Sequence, residues 1–176
     1  MLNLKKILLS IILLIFFTSY SYSENKVGYI DVDKILSNTI SGKSLFEQFN
    51  ILKKTQLDQI ENEGKKLKEE ENKILSTKKI ISQEEYMKKV NIFKEKILIF
   101  QKEKNNTIDN LNKKRNNEII RFLKMVDPLI RLVMEENSID ILIEKKNIFI
   151  AKSNTDITDI VIEKTDKNIK SFKIEK

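Results

Sequence analysis

Apolar residues recur at alternating steps of four and three along the middle of the chain. The clearest run comprises Tyr86, Val90, Phe93, Ile97 and Phe100. This spacing places the apolar residues on one stripe of an α-helix, as in helices that pack along their length. After a polar interval from Gln101 to Thr107, a shifted stripe continues through Ile108, Leu111, Arg115, Ile119, Phe122, Val126, Leu129 and Val133. We expect one long helix, with a kink or a restart at Pro128, which lacks an N–H.

A second heptad pattern occupies the segment from Lys43 to Lys79. Its apolar positions are Leu45, Phe49 and Leu52 and then, after a slip of one residue, Leu57, Ile60, Leu67 and Ile74. Such a slip locally changes a supercoil. Residues 77–81 are expected to form a tip, and Ser82 followed by Glu85 is a capping box that starts the next helix. The two patterns predict an antiparallel hairpin whose first helix spans roughly 55 Å at about 1.5 Å per residue.

Both ends of the mature chain change to a period of two, which is typical of strands. Residues 27–33 predict one strand, followed by a helix from about Asp33. Residues 138–143 and 148–151 predict a β-hairpin around a turn at 144–147. Thr155 or Asp156 is expected to cap a last helix that runs to Ile169. The fold class is therefore α+β, with a small β body, barrel-like on oligomerisation, and a long antiparallel coiled-coil hairpin.

The first 23 residues have the three parts of a secretory signal. Lys5 and Lys6 precede an apolar run at residues 7–17, and small residues end at Ser23 before Glu24. A spanning helix needs about 20 apolar residues, and this run is shorter. We therefore expect cleavage between Ser23 and Glu24, with an uncleaved N-terminal anchor as the alternative. The expected organisation is a signal peptide at 1–23, a β-rich oligomerisation body with a C-terminal helix at 24–42 and 127–176, and a helical arm at 43–126.

The composition argues against catalysis. The chain has no Cys and no His, which removes thiol nucleophiles, imidazole bases and the usual soft metal ligands. Its three glycines do not form a phosphate-binding loop. Five aspartates could form paired carboxylates but are better explained as helix-terminal, capping or strand residues: Asp31, Asp33, Asp140, Asp156 and Asp159. We expect no enzyme activity, no cofactor and no metal.

So small a body is expected to self-associate. Three strands and one helix bury little core and leave open sheet edges, which further copies of the chain can cover. The residues expected to build this oligomeric body are Val27, Tyr29, Ile30, Val32, Ile139, Ile141, Ile143, Phe149 and Ile150. Residue pattern alone does not fix the number of copies.

The arm carries the positive charge. Residues 43–124 contain 20 Lys and Arg against 13 Asp and Glu, whereas the rest of the mature chain contains 11 against 13. Such a field attracts acidic polypeptides or anionic lipid. The apolar residues near the tip also exceed what a two-helix seam requires, although most of them could pack within the hairpin. The candidate binding residues are Ile74, Leu75, Ile80, Ile81, Tyr86, Met87, Lys65, Lys66, Lys78, Lys79, Lys88 and Lys89. Ile92, Leu98 and Ile99 are expected off the seam. The arm has no base-reading or base-stacking motif, so we expect no nucleic-acid partner.

The order of these parts resembles the Skp/OmpH family over nearly the whole mature chain. The resemblance rests on residues 27–36 followed by 41–43, on residues 139–143 and 156–161, and on Pro128 where the arm re-enters the body. It implies a homotrimer with a β-barrel body and three helical tentacles around a cavity. It further implies ATP-independent holding of unfolded outer-membrane β-barrel proteins in the periplasm, with lipopolysaccharide as a further partner that the arm sequence does not locate. Two alternatives remain, a structural adaptor of the cell envelope and a binder of anionic lipid surfaces.

Overall fold

The structure is a computed structural model that describes residues 25–175. The predicted signal segment at 1–23 and its cleavage site at Glu24 lie outside the described residues. In chain order the elements are strand β1 (Val27–Ile30), helix α1 (Val32–Asn38), helix α2 (Ile40–Thr77), helix α3 (Gln83–Glu136), strand β2 (Ile141–Glu144) and helix α4 (Thr158–Asn168). Two short 3₁₀ turns, Lys145–Asn147 and Ser153–Thr155, separate β2 from α4. The α+β class with a long helical hairpin is confirmed.

The helix starts follow the capping residues in the sequence. The Asp31 carboxylate accepts a hydrogen bond from the backbone N–H of Lys34, 2.9 Å away, and begins α1. The Thr39 hydroxyl accepts one from Gly42 at 3.1 Å and begins α2. The Ser82 hydroxyl accepts one from the N–H of Glu85 at 3.3 Å and begins α3, as predicted. These bonds satisfy N–H groups that a helix leaves unpaired in its first turn.

Of the kink or restart predicted at Pro128, the restart is wrong, because α3 runs without interruption from residue 83 to residue 136. Val126 and Val133 lie on either side of the proline and are fully buried. Packing on both sides of Pro128 therefore outweighs the loss of one hydrogen bond within the helix. The helix ends at Glu136, and Ser138, whose φ is positive at 54°, turns the chain towards β2.

The predicted β-hairpin is also wrong. The sheet formed by the described residues has two parallel strands, with Val27 opposite Ile141 and Ile30 opposite Glu144. On the other side of β1, a single bridge joins Tyr29 to Asp156. The segment 148–151 forms no strand within residues 25–175, because the 3₁₀ turn after β2 leads the chain away and a four-residue edge offers few ladder bonds.

The core lies where both long helices meet the sheet and α4. Ile35, Leu45, Phe122, Val133 and Val161 pack there with little or no exposure. The last helix begins slightly later than predicted, at Thr158, and Ile169 lies just after its end. The Asp156 carboxylate accepts a hydrogen bond from the Thr158 N–H at 2.9 Å, so the aspartate still orders the first turn. Both long helices therefore emerge from a small, well-packed body.

Candidate functional site on the helical arm

The two long helices pack along the predicted seam. Tyr86, Val90, Phe93, Ile97 and Phe100 are all half-buried, and the residues between them are exposed. Across the seam, the Lys96 ammonium lies 2.6 Å from the Glu70 carboxylate. A Cβ on Gly64 would lie 3.6 Å from the Phe100 ring, an ordinary contact. The antiparallel arrangement of α2 and α3 predicted from the heptads is confirmed.

Packing weakens in the middle of the arm. From residue 50 to residue 66, α2 has no buried side chain in this fully described stretch, and residues 101–106 of α3 are exposed. Leu57 and Ile108, which the heptads placed on the seam, are more than one-third exposed, and Arg115 is exposed. A seam of polar and half-buried residues resists bending less than a close-packed one. This stretch of the arm is therefore less closely packed than the body.

Several apolar side chains of the arm point away from the seam. Ile92, Leu98 and Ile99 are exposed, as their off-seam positions predicted. Ile51 on α2 is exposed as well and was not singled out from the sequence. Helical spacing could have found it, since Ile51 lies next to Leu52 and outside the stripe. An arm that leaves these side chains in water has apolar area available for a partner.

The tip residues separate into two groups. Leu75, Ile80 and Met87 are exposed, Ile80 at 80%, whereas Ile74, Ile81 and Tyr86 are half-buried between the helices. The Lys78 ammonium lies 6.0 Å from the centre of the Tyr86 ring. A shallow groove of about 260 Å³ beside the tip is lined by Glu70, Lys73, Ile74, Thr77, Lys89 and Ile92. The structure thus leaves Leu75, Ile80 and Met87 exposed and keeps Ile74, Ile81 and Tyr86 for packing.

The predicted lysines differ in whether an acidic side chain pairs with them. Lys65 pairs with Glu61 at 2.6 Å, and Lys66 pairs with Glu63 at 3.4 Å. The hydrogen bond between Lys65 and Glu61 raises the pKa of the lysine and lowers that of the glutamate. Lys79, Lys88 and Lys89 are exposed near the tip. The lysines nearest the tip are therefore better placed than Lys65 and Lys66 to meet an anionic partner.

A larger groove lies near the base of the arm, where sequence reasoning named no site. It measures about 570 Å³ and is lined by Phe46, Phe49, Asn50, Lys53, Leu57, Ile108, Leu111, Asn112 and Arg115. The signal for it was Phe46, a large apolar residue beside the stripe that contains Leu45 and Phe49. The groove combines an apolar floor with a basic rim. The rest of the arm likewise exposes both apolar and basic side chains.

The residues predicted for the oligomeric body occupy three environments. Ile30 and Ile139 are buried in the core of the single chain. Tyr29, Val32 and Ile143 are half-buried. Val27, Ile141, Phe149 and Ile150 are exposed, and Phe149 is fully so. The exposed group lies on β1, on β2 and on the segment that follows β2.

Four of the five aspartates considered as catalytic pairs have structural partners. Asp31 caps α1, and its second carboxylate oxygen lies 3.0 Å from the Lys145 ammonium. These contacts, led by the Lys34 N–H, hold the pKa of Asp31 below its ordinary value. Asp140 accepts a hydrogen bond from the backbone N–H of Lys26 at 2.9 Å. Residues 25–175 contain no group of three acidic side chains that could hold a metal ion. No helix in this part of the chain is long and apolar enough to cross a membrane.

Comparison with known proteins places this architecture. In structural alignment, the chain is similar to a crystal structure from Caulobacter crescentus CB15 described as an outer membrane chaperone (OmpH-like). The TM-score is 0.77 at 15% identity, over 90% of this chain and 94% of that chain. No curated protein matches the chain. The family described as Outer membrane protein (OmpH-like) matches residues 26–164, which include both strands, both arm helices and most of α4. The chain therefore belongs to the OmpH-like outer membrane protein family.

Proposed function

We propose that the chain is an ATP-independent holdase chaperone that binds unfolded outer-membrane β-barrel proteins between the helical arms of a homotrimer. The observation that carries the proposal is the arm itself, a hairpin of two long helices with apolar side chains exposed outside its seam. Family membership and the chaperone description of the similar Caulobacter protein agree with this function. The contacts of the candidate carboxylates are explained by capping and ion pairs, so the proposal includes no enzyme activity.

The exposed apolar residues suit a client without fixed structure. Leu98 and Ile99 on one helix and Ile51 on the other offer separate contacts along the arm. Each buried side chain of this size contributes about 1.5–3 kcal/mol when its contact excludes water. Several such contacts spread over a bendable arm can hold chains of different sequence, because no single rigid fit is required. This arrangement favours holding a polypeptide over binding one folded partner.

The charge of the arm favours capture of acidic or anionic segments. Its excess of seven positive charges is separated from a body that is slightly negative. Exposed lysines near the tip, among them Lys79, Lys88 and Lys89, would meet a client first. Charges at the surface speed encounter more than they add affinity, and salt screens them over about 10 Å at 0.1 M. The same charges would bind anionic lipid or lipopolysaccharide, which makes lipid the principal rival partner.

Self-association follows from the uncovered part of the body. Phe149 and Ile150 are exposed a few residues after β2, and within residues 25–175 the outer edge of β2 pairs with no further strand. An exposed edge with apolar side chains next to it is a site for pairing with another chain. We infer that copies of the body cover these residues in one another and close a shared barrel. Three copies would then set three arms around one cavity.

The proposed location is the periplasm. Residues 1–23 have the pattern of a secretory signal, and cleavage would leave a chain that begins at Glu24. An exported holdase without nucleotide suits this compartment, because clients in transit to the outer membrane must stay unfolded and soluble there.

The test uses the chain from Glu24, measured by light scattering with and without a urea-unfolded outer-membrane β-barrel protein diluted into buffer. A trimer that keeps the client soluble as one client per trimer, without nucleotide, is the expected result. A monomer, or an oligomer that leaves the client to aggregate as fast as buffer alone, would contradict the proposal and favour the envelope adaptor. Binding to vesicles of anionic lipid with no protection of the client would favour the lipid-surface alternative.

A further inference from the structure

The last described residues return to the base of the arm after α4 ends. Residues 169–175, here named the C-terminal strap, follow α4 and lie beyond residue 164, where the family match ends. Ile169 and Ile174 of the strap pack against the core, and Phe172 is only 2% exposed. The strap is therefore a docked segment and not a loose terminus.

Phe172 joins both arm helices at one point. Its ring meets the ring of Phe122 on α3 edge to face, with 5.9 Å between ring centres. The Arg121 guanidinium lies over the Phe172 ring, 4.2 Å from its centre. On the opposite side, the Phe172 carbonyl oxygen accepts hydrogen bonds from Ser44 Oγ at 3.2 Å and from Gln48 Nε2 at 2.5 Å, both on α2. One strap residue thus holds the two helices together.

A buried carboxylate on α3 completes the attachment. Glu118 is 4% exposed, and one of its oxygens accepts hydrogen bonds from Arg121 at 2.6 and 2.9 Å. Its other oxygen accepts a hydrogen bond from the backbone N–H of Glu175 at 2.9 Å. Arg121 also donates to the carbonyl oxygen of Lys173. A buried charge destabilises the fold unless it is paired and hydrogen-bonded. The strap supplies one of the hydrogen bonds that the buried Glu118 carboxylate needs.

The strap lies at the boundary between the packed body and the open arm. Towards the body, Leu45 and Phe122 are fully buried, whereas towards the tip the helices reach the loosely packed stretch after Phe49. We propose that the C-terminal strap is an intramolecular clamp that fixes the bases of α2 and α3 together and sets the point at which the arm bends from the body. Without it, the bendable region would extend down into residues 44–48 and 118–122.

The test is hydrogen exchange measured by mass spectrometry on the chain from Glu24, without client. Phe172→Ala and truncation after Asn168 are each expected to lower amide protection about tenfold or more in peptides covering residues 44–52 and 112–122. Protection in peptides from β1, α1 and the tip should stay within experimental error. Ser171→Ala changes an exposed strap residue and serves as the matched control, which should exchange like the unmodified chain.

Unchanged exchange at the arm base in Phe172→Ala would overturn the clamp. Loss of protection spread evenly over the body would also overturn it, because Phe172 would then be a general core residue. If the truncated chain folds, a synthetic peptide of residues 167–176 added in excess should restore protection at the arm base. The clamp is a property of one chain, so failure of this test would leave the proposed holdase function standing, and failure to hold a client would leave the clamp standing.

Discussion

Gly42 lies against the backbone of Leu36 so closely that a Cβ on the glycine would come within 2.1 Å of the Leu36 carbonyl oxygen. The same Cβ would lie 2.7 Å from the Thr39 hydroxyl, which caps α2. Neither atom can give way easily, because one is backbone and the other accepts the Gly42 N–H. This contact fixes the sharp passage from α1 into the first arm helix.

Gly42→Ala should therefore destabilise the chain by about 1–3 kcal/mol, the range for forcing an extra carbon into packed surroundings. Gly64→Ala is the matched control, because its Cβ would make an ordinary contact at 3.6 Å inside α2. Alanine favours a helix interior by about 0.8–1 kcal/mol over glycine, so Gly64→Ala should stabilise the arm. Urea unfolding followed by circular dichroism measures both. Equal effects of the two substitutions would show that the close approach at Gly42 is relieved by movement of α1.

The Asp31 carboxylate should make stability depend on pH below about 4. Its pKa is lowered from the ordinary 3.8, first by the hydrogen bond from the Lys34 N–H and then by Lys145. A lowered pKa in the folded chain contributes stability above the unfolded value, and this contribution is lost as pH falls through the folded value. Asp31→Asn keeps a capping oxygen but removes the charge, so it should destabilise by roughly 0.5–1 kcal/mol at pH 6.

The penalty of Asp31→Asn should be smaller at pH 2.5 than at pH 6, because below pH 3.8 the unfolded chain binds a proton at Asp31 more readily than the folded chain, whose pKa is lowered. Asp33→Asn is the control, since Asp33 is an exposed neighbour two residues away. Free energies of unfolding in urea at the two pH values make the comparison. If Asp31→Asn lowers the free energy of unfolding equally at pH 6 and pH 2.5, the asparagine amide disturbs the cap and the Asp31 charge contributes nothing to stability.

Sequence reasoning succeeded where the signal is local and periodic. The half-buried seam from Tyr86 to Phe100, the tip before Ser82 and the cap at Ser82 were all predicted, because heptad spacing and capping residues act within a few turns of helix. It failed where distant residues decide the outcome. The β-branched and aromatic run at 148–151 predicted a strand, yet a strand requires a partner edge, and pattern alone does not reveal whether the single chain supplies one.

The candidate site shows the same division. The exposure of Leu98 and Ile99 follows from their position beside the seam and could be predicted. The pairing of Lys65 with Glu61 also has a local signal, the spacing of four residues. By contrast, the groove around Phe46 and the docking of Phe172 at the arm base depend on contacts between segments far apart in sequence. No short-range pattern encodes such contacts.

Phe149→Asp should reduce the oligomer to a single chain without unfolding it. The side chain is fully exposed in one chain, so a charge there costs the monomer little, whereas a buried position between copies would not tolerate it. Light scattering gives the mass, and circular dichroism shows that the helices remain. Ile99→Asp places the same charge on the arm and should leave the mass unchanged. If Phe149→Asp leaves the mass unaltered, Phe149 is not part of the contact between copies of the chain.

Client holding should depend on the exposed arm residues and not on the stability of the arm. Leu98→Ser combined with Ile99→Ser should leave the free energy of unfolding within about 0.5 kcal/mol, because both side chains already face water. The same double variant should weaken binding of an unfolded β-barrel protein about tenfold or more, since each apolar contact is worth roughly 1 kcal/mol or more and a tenfold change is 1.4 kcal/mol. Fluorescence titration of a labelled client gives the affinities.

Ile97→Ser is the matched control, since Ile97 adjoins Leu98 but is half-buried in the seam. It should destabilise the hairpin while leaving the exposed surface in place. If Ile97→Ser and the double variant Leu98→Ser/Ile99→Ser weaken client binding equally, client affinity depends on the rigidity of the arm. If neither weakens binding at low salt but 0.5 M salt abolishes it, the lysines dominate, because salt screens charge and strengthens apolar contacts only slightly. The expected pattern, loss of affinity confined to the surface variant, would assign the grip to apolar side chains that the seam leaves free.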